Sequence, residues 1–358
     1  MSELLVVDGS QGEGGGQILR TSLALAAVTG QGVRITNIRA GRRSPGLAAQ
    51  HVVACKAVAA VCSGDLRGAE LRSSEVELQP HALAGGEFSF DVSAESPSAG
   101  STTLICQAIL PTLLFSPHAS SVTLRGGTEV PWSPVFAYLA AVFAPQVRAM
   151  GADFEVTRLR PGWYPVGQGE MLARVSPLSE PLRPLDLTTR GGITELATYS
   201  LCAKRLPAHI VPRQCEGVQQ ALGPWSDQQH TCYEAHLESS SPGTTCLAVA
   251  RFEHGGGGAS ELGRTGMPAE RVGAEAGSRL RGFLSTAATV DRRLADQLLL
   301  YAALAAGTTS FVTTEATGHL RTNALAIAQI LGVETDITTT AEGVRVSLTG
   351  IGLPPPAR

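Results

Sequence analysis

The sequence predicts an α/β (α+β) fold: three repeated units, each with two helices over a four-stranded sheet, form one large domain that carries a small inserted α/β domain. Three observations lead there. The order helix, strand, helix, strand, strand occurs three times along the chain, and a half-apolar sheet needs its two helices as cover. The stretch 185–284 breaks that order, which divides the chain into a large domain of residues 1–184 and 285–358 and an insert at 185–284. The 358 residues, 43% of them hydrophobic, are enough to fill both cores.

A strand at 4–7 opens the chain, and the first copy follows with a helix at 17–28 and a strand at 33–38. Its second helix is expected over 45–61, with Ser44 as N-cap and Pro45 at the first helical position, before strands near 69–78 and 88–92. The second copy has a helix at 102–114, a strand at 121–125, a helix at 134–150 after a Ser133 cap, and strands at 154–158 and 171–175. In the insert the pattern gives a strand at 185–189, a helix at 210–222, strands at 231–238 and 244–252, and a helix from Pro268. The four consecutive glycines within 254–260 read as a mobile surface loop, with a second phosphate contact as the alternative. The third copy comprises a helix at 294–305, a strand at 309–313, a helix at 320–331, and strands at 334–338 and 344–348.

Composition excludes several functional classes. No stretch of about 18 residues is apolar and free of charges or turn residues, so no membrane span and no membrane partner are expected. The opening strand leaves no room for a basic, apolar leader, which places the protein in the cytoplasm. The seven cysteines have no C-x-x-C spacing and fall mostly in apolar stretches, so reduced, buried thiols are expected. A net charge of −3 argues against a general polyanion binder and leaves nucleic-acid contact local, at an end. A homo-oligomer is left open.

The most informative stretch runs from Asp8 to Arg20, where five glycines and Glu13 lead into an amphipathic helix. Glycines let backbone N–H groups approach phosphate oxygens, the helix start adds unpaired N–H groups, and Glu13 could hold a cation. The alternative is a flexible turn. Downstream, Arg39, Arg42 and Arg43 precede a helix that carries Gln50 and His51; they suit phosphate forks, or else a solvated turn. His319 stands between a strand and an apolar helix, where a neutral imidazole could attack phosphorus or could merely cap and pack. Gln107 is a polar side chain in an apolar helix and needs partners that a base could supply. Asp296 and Gln297, at the start of another apolar helix, are ordinary cap residues or part of a pocket.

Together these blocks resemble the RNA 3′-terminal phosphate cyclase family. The resemblance is carried by Asp8-Gly9 with Gln11 to Arg20, Ile38 to Arg42 with Pro45-Gly46-Leu47 and Gln50-His51, Ala99-Gly100-Ser101 leading to Gln107, Gly162 to Pro165, Leu294-Ala295-Asp296-Gln297, and Gly318 to Asn323. They span nearly the whole chain in the family's order. The resemblance implies ATP and Mg²⁺ or Mn²⁺, an RNA partner with a 3′-phosphate end, and His319 as a nucleophile that takes AMP. It implies Arg20 and Arg42 as catalytic partners and Glu13 as the metal ligand. It further implies Gln17, Gln107, Arg293, Leu294, Ala295, Asp296 and Gln297 at the nucleotide, and Arg39, Gln50 and His51 at the RNA end. The chain departs from the family at Gln168, where a glycine is usual, and at Arg293, where a base-stacking tyrosine is usual.

The principal alternative is a catalytically inactive relative that serves as an RNA or ribosome-assembly scaffold; retention of His319 speaks against it. A lysine-dependent nucleotidyltransferase would need K-x-D-G, which neither Lys56 nor Lys204 begins. An enolpyruvyl or sugar-phosphate transferase would keep the fold but has no use for a covalent histidine.

Overall fold

The structure is a computed structural model that describes residues 4–356. It is a mixed α/β fold, as the sequence predicts, with four four-stranded sheets among the described residues. The first contains β1 (Leu5–Asp8), β2 (Val33–Thr36), β3 (Asp65–Arg67) and β4 (Val76–Gln79), in the order β1-β2-β4-β3, with helices α1 (Gly16–Thr29) and α2 (Ala49–Val61). The second contains β5 (Glu87–Asp91), β6 (Ser120–Gly126), β7 (Phe154–Arg160) and β8 (Gly169–Val175), in the order β5-β6-β8-β7. Its helices are α3 (Thr102–Leu114) and a continuous run from α4 (Phe136–Tyr138) through a π turn (Leu139–Phe143) to α5 (Ala144–Ala149).

After β9 (Asp186–Leu187) the chain leaves to build the fourth sheet. That excursion comprises β10 (Ile193–Ala203), α6 (Ile210–Ala221), β11 (His230–Leu237), β12 (Thr244–Phe252), β13 (Gly256–Leu262) and α7 (Ala269–Leu284), with sheet order β11-β10-β12-β13. It then returns through α8 (Arg292–Leu304), β14 (Thr308–Thr313), α9 (Gly318–Leu331), β15 (Asp336–Thr340) and β16 (Gly343–Thr349) to complete the third sheet, β15-β16-β14-β9. The pairs β1–β2, β5–β6 and β9–β14 are parallel, and the remaining pairings of the first, second and third sheets are antiparallel.

One apolar core runs through the three related sheets and includes Leu19 and Leu23 of α1, Ile105 and Leu110 of α3, and Leu298 and Leu299 of α8. Full burial of each such side chain contributes roughly 1.5–3 kcal/mol. The fourth sheet has its own core, in which Val218 of α6 and Leu222 just after it meet Val272, Ala276 and Leu280 of α7 against β12. Gly273 permits the close helix contact, since a Cβ there would stand 2.0 Å from the Gln214 carbonyl oxygen. Trp163 joins this unit to the rest. Its indole nitrogen donates to Thr245 Oγ1 at 2.8 Å, while Ser241 Oγ and Ser239 Oγ donate to the Trp163 and Pro161 carbonyls, each at 3.0 Å.

Several expected elements differ from those observed. The helix expected from Pro45 begins at Ala49, because the N–H of Gly46 is taken by the Ile38 carbonyl and that of Leu47 by Ser73. The N–H of Ala48 goes to His51 Nδ1 at 3.1 Å, so Ser44 does not cap this helix. Nor does Ser133 cap a helix: its hydroxyl donates to the Val130 carbonyl, and helical structure starts at Phe136. The single strand expected near 69–78 is two short strands, β3 and β4. The segment 88–92, assigned above to the first unit, pairs with β6 of the second sheet.

The strand expected at 185–189 in the insert is the two-residue β9, paired with β14 of the third sheet. Strand β10 escaped notice because it is buried on both faces and lacks alternation. The glycine run expected to be a mobile loop is the edge strand β13, and Gly258 N–H donates to Asp291 Oδ2 at 2.9 Å, so it is not free for phosphate. Cys215 and Cys232 are joined as a disulfide rather than reduced, because α6 lies over the edge strand β11 with their Cα atoms 6.2 Å apart; the other five cysteines are buried thiols. No helix among the described residues is long and apolar enough to cross a membrane.

Candidate active site

The two ends of the chain meet at the site. The glycine-rich loop between β1 and α1 rests on the first turn of α9, where the Glu13 N–H donates to Thr322 Oγ1 at 2.9 Å. Gly12 is required there: its φ is +60°, and a Cβ would lie 2.2 Å from that hydroxyl. Thr317 caps α9 by accepting the Leu320 N–H at 3.1 Å, which sets His319 in the first helical turn. The imidazole Nδ1 of His319 lies 2.9 Å from Glu13 Oε2. Arg42 closes the other side of Glu13, with Nη2 3.3 Å from Oε1 and 3.2 Å from its carbonyl oxygen.

Behind this pair, hydrogen bonds tie three helices together. Arg20 Nη2 donates to Gln17 Oε1 at 2.7 Å, and Gln17 Nε2 reaches Thr21 Oγ1 at 3.3 Å. Thr21 in turn donates to Asn323 Oδ1 at 2.7 Å, and Asn323 Nδ2 donates to the Asp296 carbonyl at 2.8 Å. Gln107 of α3 finds the partner its apolar helix denies it, donating to Gln297 Oε1 of α8 at 2.6 Å. Helix α8 is aimed by Asp291, which accepts the N–H groups of Arg293 and Leu294 and the Tyr138 hydroxyl.

The result is a cleft of about 670 Å³ that brings Gln17, Arg20, Gln107, Arg293, Asp296, Gln297 and His319 into one wall, with Glu13 and Arg42 adjoining through the contacts above. Leu294 and Ala295 are wholly buried, so their side chains serve the core behind this wall. His51 is also buried, with its ring under Gly16 beside Arg20, and Gln50 accepts the Ser101 N–H at 2.8 Å. Arg39 donates to the Gly46 carbonyl at 2.6 Å from a left-handed backbone position. None of these three lines the cleft, and of them His51 packs under the glycine loop. Gln168 also adopts a left-handed backbone (φ 53°), in keeping with the glycine usual there.

Electrostatics favour a neutral His319. Burial pulls the His319 pKa below the usual imidazole value; Glu13 opposes this, and Arg20 and Arg42 reinforce it. Enclosure lowers Arg20 to about 10, still cationic at neutral pH, while Asp296 acts to raise it. Asp296 is itself raised well above the ordinary carboxylate range by burial and by Asp291. His51 drops to about 3 through burial and the nearby Arg20 and Arg39, so it acts as a neutral acceptor.

Glu13 fits a hard divalent ion as one carboxylate among ligands that would otherwise be phosphate oxygens and water. Among the described residues, no trio of potential metal ligands includes it; the single such trio, Cys215, Cys232 and Glu234, contains the disulfide. Sequence reasoning missed Glu129, a fully buried cleft residue whose Oε1 is 3.2 Å from Arg158 Nη1 and whose Oε2 has no hydrogen-bond partner. Burial raises its pKa to about 7 against the pull of Arg158. The only signal was an acid set between the Gly126-Gly127-Thr128 turn and an apolar Val130-Pro131.

Known proteins are similar to this chain over most of its length. The family model described as RNA 3′-terminal phosphate cyclase matches residues 11–337. Curated proteins of that name are similar over most of their length. The protein from Nitrosospira multiformis is 40% identical over 341 residues, covering 95% of each chain. That from Methylococcus capsulatus is 42% identical over 324 residues, covering 90% of this chain and 89% of the other. The Pyrobaculum aerophilum protein is 36% identical over 347 residues, covering 97% and 98%.

Proposed function

Since the chain belongs to the RNA 3′-terminal phosphate cyclase family, we propose that it uses ATP to convert an RNA 3′-phosphate end into a 2′,3′-cyclic phosphate, with His319 as the residue that carries AMP. One observation carries the assignment: the 2.9 Å contact between Glu13 Oε2 and His319 Nδ1. With Nδ1–H donated to a carboxylate, the imidazole keeps its lone pair on Nε2, and the half-exposed ring offers that atom to the cleft.

The reaction proceeds by three displacements at phosphorus. His319 Nε2 attacks the α-phosphorus of ATP, forming an N–P bond as the bond to the pyrophosphate oxygen breaks. The RNA 3′-phosphate then attacks the same phosphorus, releasing the imidazole and leaving AMP joined to the RNA end through a pyrophosphate linkage. Finally the neighbouring 2′-hydroxyl attacks the terminal RNA phosphorus, loses its proton and expels AMP. Because this last step uses a 2′-hydroxyl, a DNA 3′-phosphate stops at the adenylylated stage.

Each step crowds anionic oxygens together, which is why arginines line the approach. Arg20 and Arg42 hold α- and β-phosphate oxygens, Arg39 lies toward the RNA phosphate, and Gln107 and Gln297 orient the nucleoside. A divalent ion on Glu13, when bound, neutralises triphosphate charge. Gln50 and His51 act through the shape of the loop that receives the RNA end.

The test is incubation with α-labelled ATP and a divalent cation, followed by denaturation. Label should remain on wild-type protein and be absent from His319→Ala, and a 3′-phosphate RNA, unlike a 3′-hydroxyl RNA, should yield a cyclic end. An unlabelled wild type would favour the scaffold reading.

A further inference from the structure

We infer that Trp132 and Tyr164 form a stacking rim for the last bases of single-stranded RNA, with Arg264 beyond them on the backbone; the inference rests on the cyclase reading above. Trp132 is 99% exposed and Tyr164 70% exposed, and both border the cleft that contains His319. Large aromatic rings in water at a nucleotide cleft favour a flat partner, and every base has one. Their exposure is built in. Trp132 has a left-handed backbone (φ 61°), an outlying conformation for so bulky a residue.

The two rings also come from segments locked to each other. Thr128 and Glu129 donate their N–H groups to the Gly162 carbonyl at 3.0 and 3.1 Å, Gly162 N–H returns to Thr128 Oγ1 at 3.0 Å, and Glu129 pairs with Trp163 in a parallel bridge. Trp163 points inward and is held by Thr245, leaving Tyr164 to point out. The rim therefore stands on rigid backbone.

Position selects RNA over the adenine of ATP. Gln107, Gln297, Asp296 and Arg293 already wall the cleft around a mononucleotide, whereas Trp132 stands free at its mouth. A polymer needs a path out, and one is present: a second hollow of about 720 Å³ continues from the cleft, sharing Tyr164, Pro242, Gly243, Gly263 and Arg264 with it. Among the described residues, the Arg264 guanidinium has no side-chain or backbone partner, unlike Arg213 farther along, which is paired with Glu270. With a net charge of −3, the chain as a whole offers RNA no overall electrostatic attraction, so stacking supplies much of the affinity.

The experiment measures binding and turnover of a fluorescein-labelled, unstructured RNA decamer ending in a 3′-phosphate, using the full chain. Trp132→Ala and Tyr164→Ala should each weaken binding by anisotropy about tenfold and raise the RNA KM similarly with a much smaller change in kcat. Trp132→Phe should recover most of the loss. The same oligomer made abasic upstream of its terminal nucleotide should bind wild type as weakly as the intact oligomer binds Trp132→Ala. Unchanged anisotropy in both alanine variants would overturn the inference. So would a matching rise in the ATP requirement of RNA-free adenylylation, which would assign the ring to adenine. If wild type binds the decamer but forms no cyclic end, the cyclase reading fails separately, and the anisotropy still decides the rim.

Discussion

Glu13→Gln separates orientation of the nucleophile from simple metal binding. The substitution keeps an amide oxygen 2.9 Å from His319 Nδ1 but removes the charge. A hydrogen bond to a charged partner contributes about 1.5–3 kcal/mol, against about 0.5–1.5 kcal/mol for a neutral one. Because the His319 and Glu13 side chains are 47% and 36% exposed, solvent screening places the loss at the low end, about 1 kcal/mol, or roughly a fivefold slower adenylylation. The pH profile moves in a second, opposing way. Glu13 raises the His319 pKa while burial, Arg20 and Arg42 lower it, so its neutralisation shifts the acid limb of the rate profile to still lower pH. The assay is single-turnover transfer of α-labelled AMP to protein at saturating ATP, from pH 5 to 8, at increasing divalent-ion concentrations. A plateau lowered about fivefold with a more acidic limb supports the pairing. Full recovery at high metal, or a limb that moves toward alkaline pH, would refute it.

Two further perturbations probe the frame around the site. Gly12→Ala forces a side chain into a left-handed backbone and against Thr322 Oγ1, so stability should fall by about 1–3 kcal/mol in denaturant unfolding and adenylylation by more than tenfold; retention of both would refute the role given to this glycine. Glu129 has a folded pKa of about 7 against 4.5 for an unperturbed carboxyl, so the native state holds a proton that the unfolded chain releases. Wild-type stability from this group is therefore full below pH 4.5 and is lost as pH rises toward 7. Glu129→Gln keeps an acceptor for Arg158 and should gain stability relative to wild type between pH 5 and 8 in urea titrations, with a parallel pair of curves as the contrary result.

Much of the catalytic side was legible because its chemistry is local. A run of glycines, an acid, and a histidine at a capped helix start each carry their meaning within a dozen residues, and α3 and α6 lie where the helical pattern predicts them. What escaped was set by distant partners. Ser44-Pro45 is a sound helix start by local rules, yet the Ile38 and Ser73 carbonyls claim the next two backbone donors. Residues 87–91 read equally well as the end of one unit or the start of the next, and only pairing with β6 decides. The glycines of β13 look mobile until Asp291 is set against them, and Glu129 gains significance only once Trp163 and Arg158 close around it. The family resemblance supplied Leu294 and Ala295 as nucleotide contacts, whereas their burial gives their side chains a packing role.

The glycine-rich loop and the His319 imidazole it touches are separated by more than three hundred residues, since Glu13 meets Thr322 and His319 across the whole chain. Synthesis therefore delivers the glycine loop, Arg20, Arg42 and the insert well before His319. On the mechanism proposed above, a product truncated before α9 lacks the residue that takes AMP and strands none on an RNA end. Completion of α9 is then the step that turns on the chemistry.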